Sequence, residues 1–428
     1  MCDDFPTHPV TAAGTAGRRA APAGLRLGFI PLIDCAPLAV AAEMGFARQE
    51  GLDLALVREV SWANIRDKVN LGHLHGAHML AGMPIATTLG IGHVRVDMLA
   101  PLSLGLGGNA ITISNDIWRD MRAAGAGRSS APRERGEALR RVVAQRNRHG
   151  GEPLTFAMVF PFSMHNYLLR YWLAASGIDP DRDVRLVVIP PSLMVDSLRA
   201  GHIQGFCAGA PWPNLAARAG LGRIVATQSV LWQNSPDKVL GVPRAWAERH
   251  PDRLAALVRA LYRAGRWADD PANRSDLALL LSSPSYVGIE RGLIEEILSG
   301  DPDGTDSRQG DEAQAAFMTF HDRCAGFPWR SHALWFYSQM VRWHQVAASE
   351  ATAATAAAVY RPDLYRAALA PLGAALPAAD LKCEGALQAP TLVASTGEPL
   401  RLGPDRFFDG RIFDPQRIEA YLEDAAAD

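Results

Sequence analysis

The sequence predicts an α/β fold with mostly parallel sheets, and two observations carry that expectation. Short apolar runs alternate with segments of helical spacing from residue 25 into the eighties, and the same alternation resumes after residue 150. The composition agrees: 48% hydrophobic and 21% charged residues are ordinary for a globular chain. A formal net charge of -2 gives the chain no overall pull toward nucleic acid or an acidic membrane surface. The 428 residues exceed one small core and point to two or three domains.

Taken in order, LRLGFIPL (25–32) reads as a strand ended by Pro31, and CAPLAVAAEMGFARQEGL as a helix stopping at Gly51. DLALVREV is strand-like. SWANIRDKVNLG offers Ser61 as an N-cap and Gly72 as a stop, and HGAHMLAGMP reads as a strand running into a loop. In the second unit, LTFAMVF, VRLVVIP and IQGFCAGAP are strands. Each precedes a helix, in SMHNYLLRYWLAASG, PSLMVDSLRAGH and WPNLAARAG, and RIVATQ and KVLGV are again strand-like. Nine arginines against three acids lie between Arg119 and Arg148, so this segment reads as a solvated linker helix or as a surface for an acidic partner. Beyond residue 243 the chain turns helical. SGDPDGTDSRQGDEAQ (299–314) is a turn-rich loop, SEATAATAAAVYRPDLYRAALAPLG is helical, and the stretch from 384 has no clear period.

Ligands of open α/β sheets bind beyond the carboxyl ends of strands, where helices begin. Four residues stand at such corners. Trp62 follows a strand and either packs in the core or walls a pocket. Asn109 follows the glycine-rich SLGLGG, which forms either a tight turn or a backbone nest for an anion. His165 falls in the first turn of a helix capped by Ser163, where free N–H groups favour an anion; the alternative is a histidine packed on the sheet. Lys238 enters an apolar strand and needs a counter-charge, either a bound anion or an acid such as Asp237.

Other chemistries find less support. There is no GxSxG, HExxH or Walker motif. His73, His75 and His78 in HLHGAH divide between two faces of a strand, which disfavours a metal site. Five cysteines without a CxxC pair fit a reducing compartment, and Cys207 reads as a small buried residue. No stretch reads as a signal peptide or a membrane span, so residues 1–24 are expected to be a loose tail and the protein cytoplasmic.

GFIPLIDCAPLAVAAEMGFARQEGL, SWANIRDKV, GAHMLAGMPIA, GNAITIS, FPFSMHNYLLRYWLAASGIDPDRDV and GAPWPNLA together resemble the nitrate-binding NrtA/CmpA/NasS family, over most of the chain from Leu25 to Arg361 and beyond. That family holds receptors of nitrate and bicarbonate ABC transporters and cytoplasmic nitrate/nitrite sensors of the NasS type. The resemblance implies a two-lobed clamp of the periplasmic-binding-protein kind with the ligand between the lobes. Residues 25–130 and 244–428 are expected to build one lobe and 131–243 the other. It implies a nitrate or nitrite site in which Trp62, His165 and Lys238 match the family's tryptophan, histidine and lysine. Asn109 stands where the family has a glutamine. A lysine at 238 implies an anion held directly, without the calcium of the bicarbonate receptors, and no cofactor. With no export signal, the implied role is a sensor that controls a NasT-type ANTAR antiterminator, an RNA-binding protein, without itself touching nucleic acid or membrane. The alternative is the substrate-binding protein of a nitrate ABC transporter. Enzymatic activity is not expected.

Overall fold

The computed structural model describes residues 24–127, 131–300 and 317–426. Residues 1–23 of the expected tail and 301–314 of the turn-rich segment lie outside the described residues. Among those described, no helix is long and apolar enough to cross a membrane.

Two sheets organise the chain. The first contains β1 (Leu25–Phe29), β2 (Leu54–Arg58), β3 (Gly76–Leu80) and β4 (Met98–Gly107). The second contains β5 (Asn109–Ser114), β6 (Thr155–Met158), β7 (Arg185–Val188), β8 (Gly205–Gly209) and β9 (Gly222–Thr227). The chain then returns, and β10 (Pro236–Pro243) and β11 (Met318–Thr319) complete the first sheet in the order β11-β4-β10-β3-β1-β2. The second sheet runs β7-β6-β8-β5-β9.

The sheets are mixed rather than mostly parallel. β10 runs antiparallel to β3 and β4, and β5 antiparallel to β8 and β9. These are the two strands that carry the chain across. β4 passes into β5 through Gly108 alone, with no helix to turn the direction, so the arriving strand lies opposed to its new neighbours. Gly107 and Gly108 adopt φ of 77° and 93° at this crossing. A Cβ on Gly107 would come within 2.4 Å of the Phe317 carbonyl, so only glycine fits there. Sheet membership therefore changes at 108 and again between 227 and 236, not at the expected 131 and 243.

Local chemistry accounts for the helices that matter to the site. Ser61 Oγ accepts from the Asn64 N–H at 3.2 Å and starts the helix Trp62–Asn70. Ser163 Oγ accepts from the Asn166 N–H at 3.0 Å and starts Met164–Ala175. Such caps are worth about 1 kcal/mol each and fix where the helix begins. The first expected helix divides into Ala36–Glu43 and Phe46–Gln49 because Gly45 takes a left-handed φ of 78°. The alanine-rich segment likewise divides into Glu350–Val359 and Pro362–Leu369, since Pro362 excludes the α conformation from the residue before it. The arginine-rich segment is a helix, Pro132–Arg148, that buries Leu139, Val142 and Val143 and exposes Arg133, Arg140, Arg141, Arg146 and Arg148.

The unplaced C-terminal stretch joins the two halves. Gln233 N–H donates to the Arg406 carbonyl at 2.9 Å, and Phe408 N–H to that of Leu231 at 2.9 Å. Phe407 stacks on Trp232 with ring centroids 4.6 Å apart, and Tyr171 Oη donates to Asp409 at 2.8 Å. The root of this segment is pinned by a buried charge cluster in which Lys382 contacts Glu384 and Asp405, and Ser331 donates to Glu384 at 2.6 Å. One apolar cluster runs from Trp62 and Leu80 through Phe156 and Tyr167 to Trp335 and Phe407, so both sheets share a continuous core.

Candidate functional site

The crossing strands bring the sequence-selected residues to one place. Trp62 is the first residue of its helix beyond β2, and His165 the second residue of the helix beyond β6. Asn109 opens β5 and pairs with Gly209 on β8. Lys238 lies on β10 between Leu80 on β3 and Gly105 on β4. Trp62 and Lys238 thus come from the first sheet and Asn109 and His165 from the second. All four are withdrawn from solvent.

Their proximity is direct. Lys238 Nζ lies 5.6 Å from the centre of the Trp62 ring, within cation–π range. A Cβ built on Gly209 would stand 3.2 Å from Asn109 Oδ1 and 3.6 Å from both His165 Nε2 and Asp34 Oδ2. The missing side chain of Gly209 therefore leaves these three polar atoms facing one small volume.

Three further residues build the site. Asp34, in the 3-10 turn Ile33–Cys35 beyond β1, contacts Lys238 Nζ at 2.7 Å and His78 Nε2 at 2.9 Å. Asp237 contacts Lys238 from the other side. Both acids are buried, so of the two counter-charges the sequence allowed for Lys238, the structure supplies carboxylates. Asp34 stands at a strand-to-helix corner like Trp62, and the strand-end rule would have found it. His78 was weighed with His73 and His75 in one strand. Instead His73 and His75 precede β3, His75 accepts from the Arg26 N–H at 3.0 Å, and His78 alone reaches the site. Among the described residues no cluster of three His, Cys, Asp or Glu side chains could hold a metal ion.

The electrostatics follow from burial and neighbours. Burial pushes the Asp34 carboxyl up, but Lys238 and His78 together outweigh it and hold Asp34 far below the usual carboxylate range. Asp237 has Lys238 alone as a cationic partner and feels the charge of Asp34; burial dominates and raises it. Lys238 is raised despite burial, because Asp237 and Asp34 favour its charged form. Burial, helped by Lys238, lowers His165 well below the ordinary histidine value, so its ring is neutral near pH 7. Cys207 is a buried thiol whose pKa burial raises, which leaves it unreactive.

Two sequence expectations change in detail. Gly107 N–H donates to the Ser235 carbonyl at 3.0 Å and Gly108 N–H to that of Phe317 at 2.8 Å, so the glycine run serves the crossing rather than an anion nest. Asn109 directs its amide N–H groups to Gln228 and toward Asp237. Gln228 Nε2 is spent on Ser235 Oγ at 2.9 Å and on two carbonyls, so Gln228 presents Oε1, which Asn109 Nδ2 approaches at 2.5 Å. Asn109 Oδ1, an acceptor, is left toward Gly209 and His165.

Trp62 Nε1, Asn109 Oδ1, both ring nitrogens of His165 and Asp237 Oδ1 are buried without a hydrogen-bond partner. Buried polar atoms are seldom left unpaired, and five in one neighbourhood mark a place where a small polar ligand completes the structure. A narrow crevice with no room for a water molecule, lined by β4, β10 and β11, ends at Asp34, Asp237 and Lys238.

Residues 18–282 match the NMT1-like family. The chain is 39% identical to the nitrate import ATP-binding protein NrtC of Synechocystis sp. PCC 6803 over 82% of its length, and 40% identical to the bicarbonate transport ATP-binding protein CmpC of that organism over 75%. It spans about half of each relative, 50% of NrtC and 46% of CmpC. Among solved structures, the periplasmic nitrate-binding protein NrtA from Synechocystis PCC 6803 superposes with a TM-score of 0.78 at 30% identity, covering 94% of this chain and 97% of that one. The fold is thus the α/β, two-lobed periplasmic-binding-protein type, with the site between the lobes.

Proposed function

We propose, on the premise that this chain belongs to the NMT1-like family, that it binds nitrate or nitrite between its lobes without turning it over. One observation carries the proposal: an aromatic ring, a neutral histidine, a lysine and several buried polar atoms without hydrogen-bond partners converge where the two sheets meet, around the side chain that Gly209 lacks. Trp62 packs over the planar ion and offers Nε1–H, His165 donates, and Lys238 supplies positive charge. Asn109 orients the site through Oδ1 and Gln228.

The likeness to NrtA and to the transport proteins supports a receptor serving a nitrate ABC importer, above the sensor role implied by sequence resemblance. The sensor reading keeps one supporting feature, the exposed arginines of helix Pro132–Arg148 as a contact for a NasT-type antiterminator. A cytoplasmic location belongs to that reading; a receptor works outside the cytoplasmic membrane. Pull-down with the antiterminator, with and without nitrate, separates the roles: nitrate-released capture supports the sensor, and no capture supports the receptor.

Bicarbonate is the competing ligand, given the likeness to CmpC. Calorimetric titration with nitrate, nitrite and bicarbonate, each with and without calcium, tests the ligand. Saturable nitrate or nitrite binding without calcium is expected. Binding of bicarbonate alone, dependent on calcium, overturns the proposal.

A further inference from the structure

We infer that the site takes up one proton together with its anion, and that Asp237 receives it and becomes a hydrogen-bond donor to the bound ion. The inference rests on the nitrate or nitrite reading above and concerns the same site. Its ground is charge. Lys238 is flanked by two carboxylates, Asp34 and Asp237, and Asp34 also contacts His78. With Asp34 and Asp237 both ionised these groups leave no surplus positive charge, and His165, lowered by burial, adds none. An incoming anion would therefore add an uncompensated negative charge to a buried volume, which is prohibitively costly unless a proton arrives with it.

Geometry selects the acceptor. Asp34 has both oxygens engaged, one with Lys238 at 2.7 Å and one with His78 at 2.9 Å. Asp237 has one cationic contact, Lys238, and Oδ1 has no well-formed hydrogen bond, the Asn109 amide being the other side-chain donor near this carboxylate. The groups around it are Lys238 on its own strand, Asp34 beyond β1, Asn109 on β5, Cys207 on β8 and Tyr360 after helix Glu350–Val359. Of these, only Lys238 is cationic. Burial already raises the Asp237 carboxyl, and a second anion beside it raises it further. Protonated at Oδ1, Asp237 changes from a group that repels an oxyanion into one that donates to it, and the charge of the added proton offsets that of the ion.

The test uses the whole chain and nitrate. Binding enthalpies measured near neutral pH in buffers of different ionisation enthalpy give the proton count directly, without any variant. Uptake of about one proton per nitrate is expected, with Kd weakening by up to about tenfold per pH unit as the pH rises between the free and bound pKa of the acceptor. Asp237→Asn should flatten that slope and bind more tightly than the wild-type protein at alkaline pH. His165→Gln should weaken binding and keep the slope. Saturable nitrate binding with no proton uptake and a flat pH profile overturns the inference and leaves the nitrate reading standing. A slope lost in His165→Gln and kept in Asp237→Asn also overturns it. Absence of nitrate binding from about pH 6 to pH 8.5 overturns the nitrate reading itself, and the inference with it.

Discussion

Lys238 Nζ lies 2.7 Å from Asp34 Oδ2, and both side chains are buried. Asp34 arrives from the turn after the first strand and Lys238 from the strand that returns from the second sheet. The pair thus joins segments about two hundred residues apart across the first sheet.

Lys238→Ala should abolish nitrate binding and lower folding stability by about 3–5 kcal/mol, since it leaves Asp34 and Asp237 buried without their cation. Denaturant unfolding and calorimetry read the two effects separately. Unchanged nitrate affinity in a folded Lys238→Ala protein would remove this residue from the site.

Trp62→Phe keeps an aromatic ring and removes the unpartnered Nε1–H. Its expected cost in stability is below about 1.5 kcal/mol, while nitrate binding weakens severalfold. Trp62→Ala should cost about 3–5 kcal/mol in stability because the side chain is wholly buried. A melting curve beside a titration for each variant checks both statements. Equal nitrate affinity in wild type and Trp62→Phe would show that Nε1 does not touch the ion.

His165→Ala removes one donor to the ion from a buried site, and nitrate Kd should rise about tenfold or more. His165→Gln restores a donor and should recover part of the loss. Recovery to a similar extent by His165→Leu would instead assign His165 a packing role.

The C-terminal cluster predicts an acid response. Burial raises Glu384, but Lys382 and His332 outweigh it and hold the carboxyl at about 2. A folded pKa below the unfolded value of 4.5 gives stability that is present above pH 4.5 and is lost as the pH falls toward about 2. Asp405 is raised and offsets part of this, because its added proton favours the folded state. Glu384→Gln should make the loss of stability between those pH values shallower. Limited proteolysis near 384–413 should start at a higher pH in Lys382→Met than in the wild type.

The pattern of the chain made the strands, the capped helices and four corner residues legible. Ser61 and Ser163 announced helix starts that placed Trp62 and His165, because capping is a local matter of one hydroxyl and the N–H groups ahead of it. Pro362 and Gly45 cut helices that periodicity alone had joined. The crossings were misjudged at 131 and 243 because β5 and β10 read as ordinary apolar strands, and nothing local says which sheet a strand will pair with. The same limit hid the role of His78, which depends on β1, β3 and β10 lying side by side.

By itself, then, the sequence determined the α/β alternation, the helix boundaries set by caps and breakers, and the candidacy of Trp62, Asn109, His165 and Lys238, since each depends on residues within a few positions along the chain. The tertiary structure decided what those residues face. Gln228, folded against Asn109, turned that amide to present an acceptor. Asp34, brought from the turn after β1 to join Asp237 at one lysine, cancelled its surplus charge. Electrostatics in a buried volume is a sum over neighbours in space, and those neighbours are fixed only when the two sheets close on each other.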